Sequence, residues 1–146
     1  MRQILIAKNP QIKELSSHRV TLVAGKDSLK LIRGTGLTLT RIPLTFDVLT
    51  GGHVTFKFDL PLLLFKKGVL LAGAYWDGNE VEVAFMSSTG ADVEITEGLP
   101  ILVGTLIETV RFRQIDSTVL GNLTIVKTEG NKALKIEKKK KGKKNA

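Results

Sequence analysis

Along most of the chain, apolar and polar residues alternate with a period of two. Val20, Leu22 and Ala24 alternate with Thr21 and Val23. Leu29, Leu31 and Arg33 oppose Lys30 and Ile32, and Leu37, Leu39 and Arg41 oppose Thr38 and Thr40. Residues 53–59 set Val54, Phe56 and Phe58 on one side, residues 80–85 do the same with Val81, Val83 and Phe85, and residues 92–95 repeat the pattern briefly. Such alternation marks half-buried strands, because successive side chains of an extended chain point to opposite faces. Threonine and valine enrichment agrees with it. Turn formers separate the runs: Gly25-Lys26-Asp27, Gly34-Thr35-Gly36, Gly51-Gly52, Lys67-Gly68, Asp77-Gly78-Asn79, Thr89-Gly90, Glu97-Gly98 and Glu129-Gly130-Asn131. Many short strands at this spacing predict an all-β domain, a jelly-roll sandwich or barrel.

Two stretches fit a helix instead. They are residues 9–17, with Pro10 near a first turn, and residues 131–141, rich in helix formers. Two runs are apolar at nearly every position: Leu60-Pro61-Leu62-Leu63-Leu64-Phe65 and residues 100–107. These read as strands covered on both faces. The second cover is either the rest of the domain or another subunit, so the runs point to an oligomer.

Composition narrows the classes. With 146 residues and 42% hydrophobic content, one domain with a real core is expected. There is no cysteine, which excludes a disulfide framework, a thiolate nucleophile and cysteine-ligated zinc. The apolar run near Met1 is too short for a signal segment. The most apolar window, residues 60–74, is broken by Pro61, Lys66, Lys67 and Gly68, so it does not span a bilayer. A soluble, cytoplasmic protein is the expectation.

Charge divides the chain at residue 131. Lys132, Lys135, Lys138, Lys139, Lys140, Lys141, Lys143 and Lys144 face a single acid in that segment, Glu137, so +7 of the formal +8 lies there. The expected organisation is a nearly neutral β domain, residues 1–131, and a flexible lysine-rich tail, residues 132–146. A block of like charges repels itself and stays extended when free. Lysines that meet phosphates release counterions, which gives binding without sequence preference and with steep salt dependence. Lysine in place of arginine argues against bidentate base reading. Nucleic acid is the first partner class and an acidic protein surface the second. No acyl signal or aromatic anchor accompanies the lysines, so a membrane is not expected.

The middle of the chain resembles the trimeric dUTPase and dCTP deaminase superfamily. The carrying residues are Leu64-Phe65-Lys66-Lys67-Gly68-Val69, then Ala72-Gly73 leading to Trp76-Asp77-Gly78-Asn79-Glu80-Val81-Glu82-Val83. Phe85-Met86-Ser87-Ser88 and residues 93–101 follow. The resemblance covers about a third of the chain and implies a jelly-roll trimer. It also implies positions for chemistry, and there the chain departs from the pattern. Where the family has its phosphate-binding Arg-Ser-Ser, this chain has Pro61-Leu62-Leu63, which offers no side-chain donor. Asp77 is displaced from the family's water-activating aspartate, while Tyr75 or Trp76 could take its tyrosine's place. The family's later Asp and Gln correspond to Leu99 and Val103. The glycine-rich phosphate arm is replaced by the lysine tail. The resemblance therefore implies a scaffold without its hydrolase chemistry.

Other chemistry is thin. His18 and His53 lie far apart without nearby acids, so no metal site is expected, and no cofactor motif is present. Glu80/Glu82 and Asp92/Glu94 each share the polar side of a strand, as solvated faces or, with further carboxylates, a cation site. Arg111 and Arg113 straddle Phe112; they either extend the basic footprint or flank one core ring. Tyr75 and Trp76, the only Tyr and Trp, sit beside the Asp77-Gly78 turn, where one can pack inward and one can stack on a base.

The leading reading is a non-catalytic dUTPase-like protein, phage or viral, that associates with nucleic acid through its tail. The alternatives are a virion structural or decoration protein, and a dUTP- or dCTP-acting hydrolase or deaminase with a rearranged site.

Overall fold

The computed structural model describes residues 1–26 and 29–116. The tail lysines, the expected helix at 131–141 and the boundary at 131 lie outside the described residues. Twelve strands and one short helix make up the described part. They are β1 (Arg2–Ala7), β2 (Ile12–Leu15), β3 (Arg19–Val23), β4 (Leu31–Ile32), β5 (Thr38–Pro43), β6 (Phe46–Val48) and β7 (Phe56–Asp59). Then come α1 (Leu62–Lys66), β8 (Val69–Trp76), β9 (Glu80–Ser87), β10 (Val93–Glu94), β11 (Pro100–Leu106) and β12 (Val110–Ile115).

The strands form four open sheets, with orders β12-β1-β6, β10-β4, β2-β3-β11-β7 and β5-β9-β8. The all-β expectation holds, as packed open sheets among the described residues rather than a closed barrel. β1 pairs in parallel with β12, and the other pairings are antiparallel. Between the sheets lies the main core, built on Ile6, Val20, Leu22, Ile32, Ile42, Leu44, Leu64, Val81, Val83, Phe85, Ile101 and Leu102. A second cluster, Ile4, Val48, Val54, Leu106 and Val110, shares Phe46, Phe56 and Phe112 with the first.

β9 follows its sequence pattern, with Val81, Val83 and Phe85 fully buried. Other stretches differ, each for a local reason. Residues 9–17 are a turn and a strand, not a helix. The Asn9 carboxamide oxygen accepts the Gln11 N–H at 2.8 Å and turns the chain, and β2 then pairs with β3. Sheet pairing outweighs the weak helical preference of so short a stretch. In β4 the phase is reversed: Ile32 is buried and Leu31 exposed. In β5 the two threonines take the inner side with Ile42, because Thr38, Thr40 and Ile42 pair with Phe85, Val83 and Val81. Leu37 and Leu39 are consequently 59% and 60% exposed.

The two apolar runs part company. Residues 60–65 contain a helix, not a strand. The Pro61 carbonyl accepts N–H groups from Leu64 at 3.0 Å and Phe65 at 3.2 Å, and Gly68, at φ 91°, stops the helix after one turn. Only Leu64 is buried there. Residues 100–106 are β11, held between β3 and β7 and covered within one chain.

Candidate functional site

The β8–β9 hairpin carries the two aromatic residues singled out by the sequence. Its turn is built by Asp77. One carboxylate oxygen accepts the backbone N–H groups of Asn79 and Glu80, each at 2.9 Å. Those bonds favour the charged form and hold the Asp77 carboxyl below the usual carboxylate range. Gly78, at φ 106°, supplies the left-handed step. Asp77 is thus committed to its own turn.

Trp76 points inward. Its indole N–H donates to the Leu44 carbonyl at 2.6 Å, and its ring stacks on Phe46 with centroids 4.2 Å apart and planes 8° from parallel. Tyr75, one residue earlier, is 69% exposed. Alternation along β8 makes this division, so Tyr75 is the ring left on the surface.

Beside them runs a cleft of about 300 Å³, lined by Val54, Thr55, Phe56, Phe58, Ala74, Tyr75 and Trp76. It opens between β7 and β8, the end strands of two different sheets. A row of rings backs it: Phe58 to Phe56 at 5.7 Å, Phe56 to Phe46 at 5.3 Å, then Phe46 to Trp76. The row explains the walls: aromatic faces are large, apolar and stiff. The sequence showed alternating phenylalanines in residues 53–59, but not that β6 would bring Phe46 between them and Trp76.

Arg111 and Arg113 lie on β12, both exposed, with Phe112 half-buried between them. β12 is at the opposite edge of its sheet from β6, so the arginines are not gathered with the aromatic cleft. Arg111 instead borders a broad hollow of about 520 Å³ shared with Met1, Leu15, Ser16, Ser17, Phe112 and Gln114.

Several of the remaining candidates have structural partners. Arg41 bridges Glu80 and Glu82, at 3.5 Å to each. A carboxylate oxygen of Asp92 accepts the Gly34 N–H at 2.6 Å. Gly34 is where two loops cross: a Cβ there would stand 2.1 Å from the Gly90 carbonyl oxygen. The Gly34-Thr35-Gly36 turn is therefore a packing device. The His53 carbonyl accepts from Arg2 at 3.1 Å, and Arg2 also forms a forked pair with Glu108 through Nε and Nη2, at 3.1 and 2.6 Å. That pair lowers the Glu108 carboxyl below its ordinary range. Among the described residues no three His, Asp or Glu side chains converge as metal ligands.

At the positions where the resemblance would place phosphate contacts, Pro61 begins α1, and Leu62 and Leu63 are exposed on it. Leu99 and Val103 are half-buried. No helix among the described residues is long and apolar enough to cross a membrane.

No protein-family profile matches the sequence, and no curated protein matches it. A solved structure does: the native EIAV dUTPase superposes with a TM-score of 0.55 at 14% identity, over 73% of this chain and 88% of that one. At that identity the likeness is one of fold, and the fold of this chain is dUTPase-like.

Proposed function

We propose that this is a non-catalytic dUTPase-like protein whose β domain presents a lysine-rich segment, residues 132–146, to nucleic acid. The observation that carries the reading is the fate of Asp77. The hairpin's carboxylate is bound to two backbone N–H groups of its own turn. At the positions where the resemblance would place phosphate contacts stand Leu62 and Leu63, whose side chains donate nothing. With +7 concentrated in residues 132–144, the contact chemistry lies in phosphate neutralisation rather than in turnover. Arg111 and Arg113 add a basic edge, and Tyr75 offers a ring on which an unpaired base stacks. In a homotrimer three tails act together, and avidity raises a weak phosphate affinity. The reading places the protein in the cytoplasm, the host's if it is viral or phage-encoded.

The test is retention of fluorescent single- and double-stranded DNA by the full chain and by a chain ending at residue 131, across a salt series. Tail-dependent binding that falls steeply with salt is expected. Equal binding by both chains would sink the proposal. Turnover of dUTP or dCTP with Mg²⁺ would establish instead the hydrolase or deaminase reading. A second reading, a virion structural or decoration protein, draws on the exposed Leu62, Leu63 and Phe65 of α1. It expects co-purification with a larger particle.

A further inference from the structure

Two end strands meet at the broad hollow that Arg111 borders. Among the described residues β12 ends the β12-β1-β6 sheet, and β2 ends the β2-β3-β11-β7 sheet. The hollow, about 520 Å³, opens between β12 and the Leu15-Ser16-Ser17 stretch where β2 gives way to its turn. That volume lies in the range of small-ligand sites, about 300–1,000 Å³. Backbone bonds fix both walls. The Val110 N–H donates to the Ser17 carbonyl at 2.7 Å, and the Ser16 N–H donates to the Arg19 carbonyl at 2.9 Å. The side chains of the lining therefore stand on held backbone rather than on a free loop.

The lining joins three kinds of group. Phe112 is half-buried, so part of its ring reaches the hollow. Arg111 is exposed, and among the described lining residues its side chain carries the one charge, with no carboxylate beside it. Arg2 is taken up by Glu108, and Arg41 by Glu80 and Glu82. Arg111 has no ion pair among the described residues. Ser17 and Gln114, both exposed, add a hydroxyl and a carboxamide as neutral donors. The complement of such a lining is a ligand with a flat apolar part and an anion. An unpaired nucleotide has both, whereas a duplex keeps its bases stacked and offers only its phosphates. The cleft beside Tyr75 has rings but no charged side chain in its lining. We propose that the β12 hollow seats one nucleotide of a single-stranded nucleic acid, with its phosphate on Arg111 and Ser17 and its base against Phe112. The inference rests on the nucleic-acid reading above and gives it a place on the β domain. Arg113, of equal charge and two residues further along the strand, does not line the hollow. Lys132 follows Ile115 by 17 positions, a length of chain that spans at most about 60 Å. The lysine segment thus remains tethered beside the hollow, within range of the phosphates that flank a seated nucleotide.

Fluorescence anisotropy of the full chain with oligo-dT and with a duplex of the same length tests it, using Arg111→Ala, Arg113→Ala and Phe112→Leu variants. Both arginines are exposed and leucine keeps most of the apolar volume at 112, so the fold should persist, which circular dichroism checks. The wild type should hold oligo-dT more tightly than the duplex. Arg111→Ala should raise the single-strand dissociation constant roughly 10-fold, as loss of a charge-assisted bond does. Arg113→Ala removes the same charge outside the hollow and should raise it by less than about threefold. Phe112→Leu should weaken single-strand binding several-fold, with a smaller effect on the duplex, because it removes the stacking face. Equal losses from the two arginine variants, or no preference for the single strand, would overturn the hollow and leave the tail reading standing. A full chain that binds neither DNA would overturn both.

Discussion

The run at residues 60–65 has four leucines and a phenylalanine around one proline; the run at 100–107 has Ile101, Leu102, Val103, Leu106 and Ile107. In the second, residues 100–106 are paired between β3 and β7 and buried or half-buried, and only Ile107, past the strand's end, is exposed. In the first, Pro61 and Gly68 bracket a single helical turn that buries Leu64 and leaves Leu62 65% and Phe65 58% exposed. Composition is nearly the same, and the outcome is set by what stands on either side. A proline that cannot donate and a glycine in the left-handed region make a turn of helix the cheapest path. Two partner strands make extension the cheapest path in the other run. Leucine content therefore says that something is to be covered, while the neighbours decide by what.

Substitutions sharpen the contrast. The largest effects belong to Leu102→Ala and Leu64→Ala, one from each run, both fully buried. Each should lose about 2–5 kcal/mol in denaturant unfolding, as buried leucine truncations do. Equal losses would show that the first run anchors the domain through one side chain as firmly as the second does through its whole length. Gly104→Ala comes next. Its Cβ would stand 3.1 Å from ring carbons of both Phe56 and Phe58, and crowding of that kind costs about 1–3 kcal/mol. Leu62→Ala, at an exposed position of the first run, should change stability by less than about 0.5 kcal/mol. A loss comparable to that of Leu64→Ala would mean that the helix face is covered in solution.

The smallest effect expected is on pH dependence. The folded state holds the Asp77 and Glu108 carboxyls below their ordinary range. Their contribution is therefore fully present above the unfolded values, near pH 4, and is lost as pH falls through the depressed folded values. Acid unfolding of Asp77→Asn should show a shallower loss of stability below about pH 4 than the wild type. Both groups lie at the surface, so the difference should shrink further in high salt.

Legibility followed the contrast between the two faces of each strand. Val81, Val83 and Phe85 alternate with Glu80, Glu82 and Ala84, so β9 could be placed with its inner side from the sequence alone. β5 could not. Thr38, Thr40 and Ile42 form one β-compatible side and Leu37, Leu39 and Arg41 the other, and only pairing with β9 chooses between them. β4 has two residues and no phase of its own; its direction comes from β10. The helix α1 is one turn long, too short for a period to show in an all-apolar run. At the candidate site, adjacency of Tyr75 and Trp76 announced that one ring would face in. Which one follows from the Leu44 carbonyl and the Phe46 ring, both distant in sequence. The charge division at residue 131, by contrast, needs no fold to be seen.

The parallel pairing of β1 with β12 has a consequence during synthesis. Arg2 pairs with Val110 and Ala7 with Ile115, so the first of the described strands to be made waits for the last. Until residues 110–115 leave the ribosome, β1 has an unpaired edge carrying Ile4, Leu5 and Ile6. Nascent chains arrested before that point would offer this edge to one another and aggregate, whereas extension past residue 115 would close it.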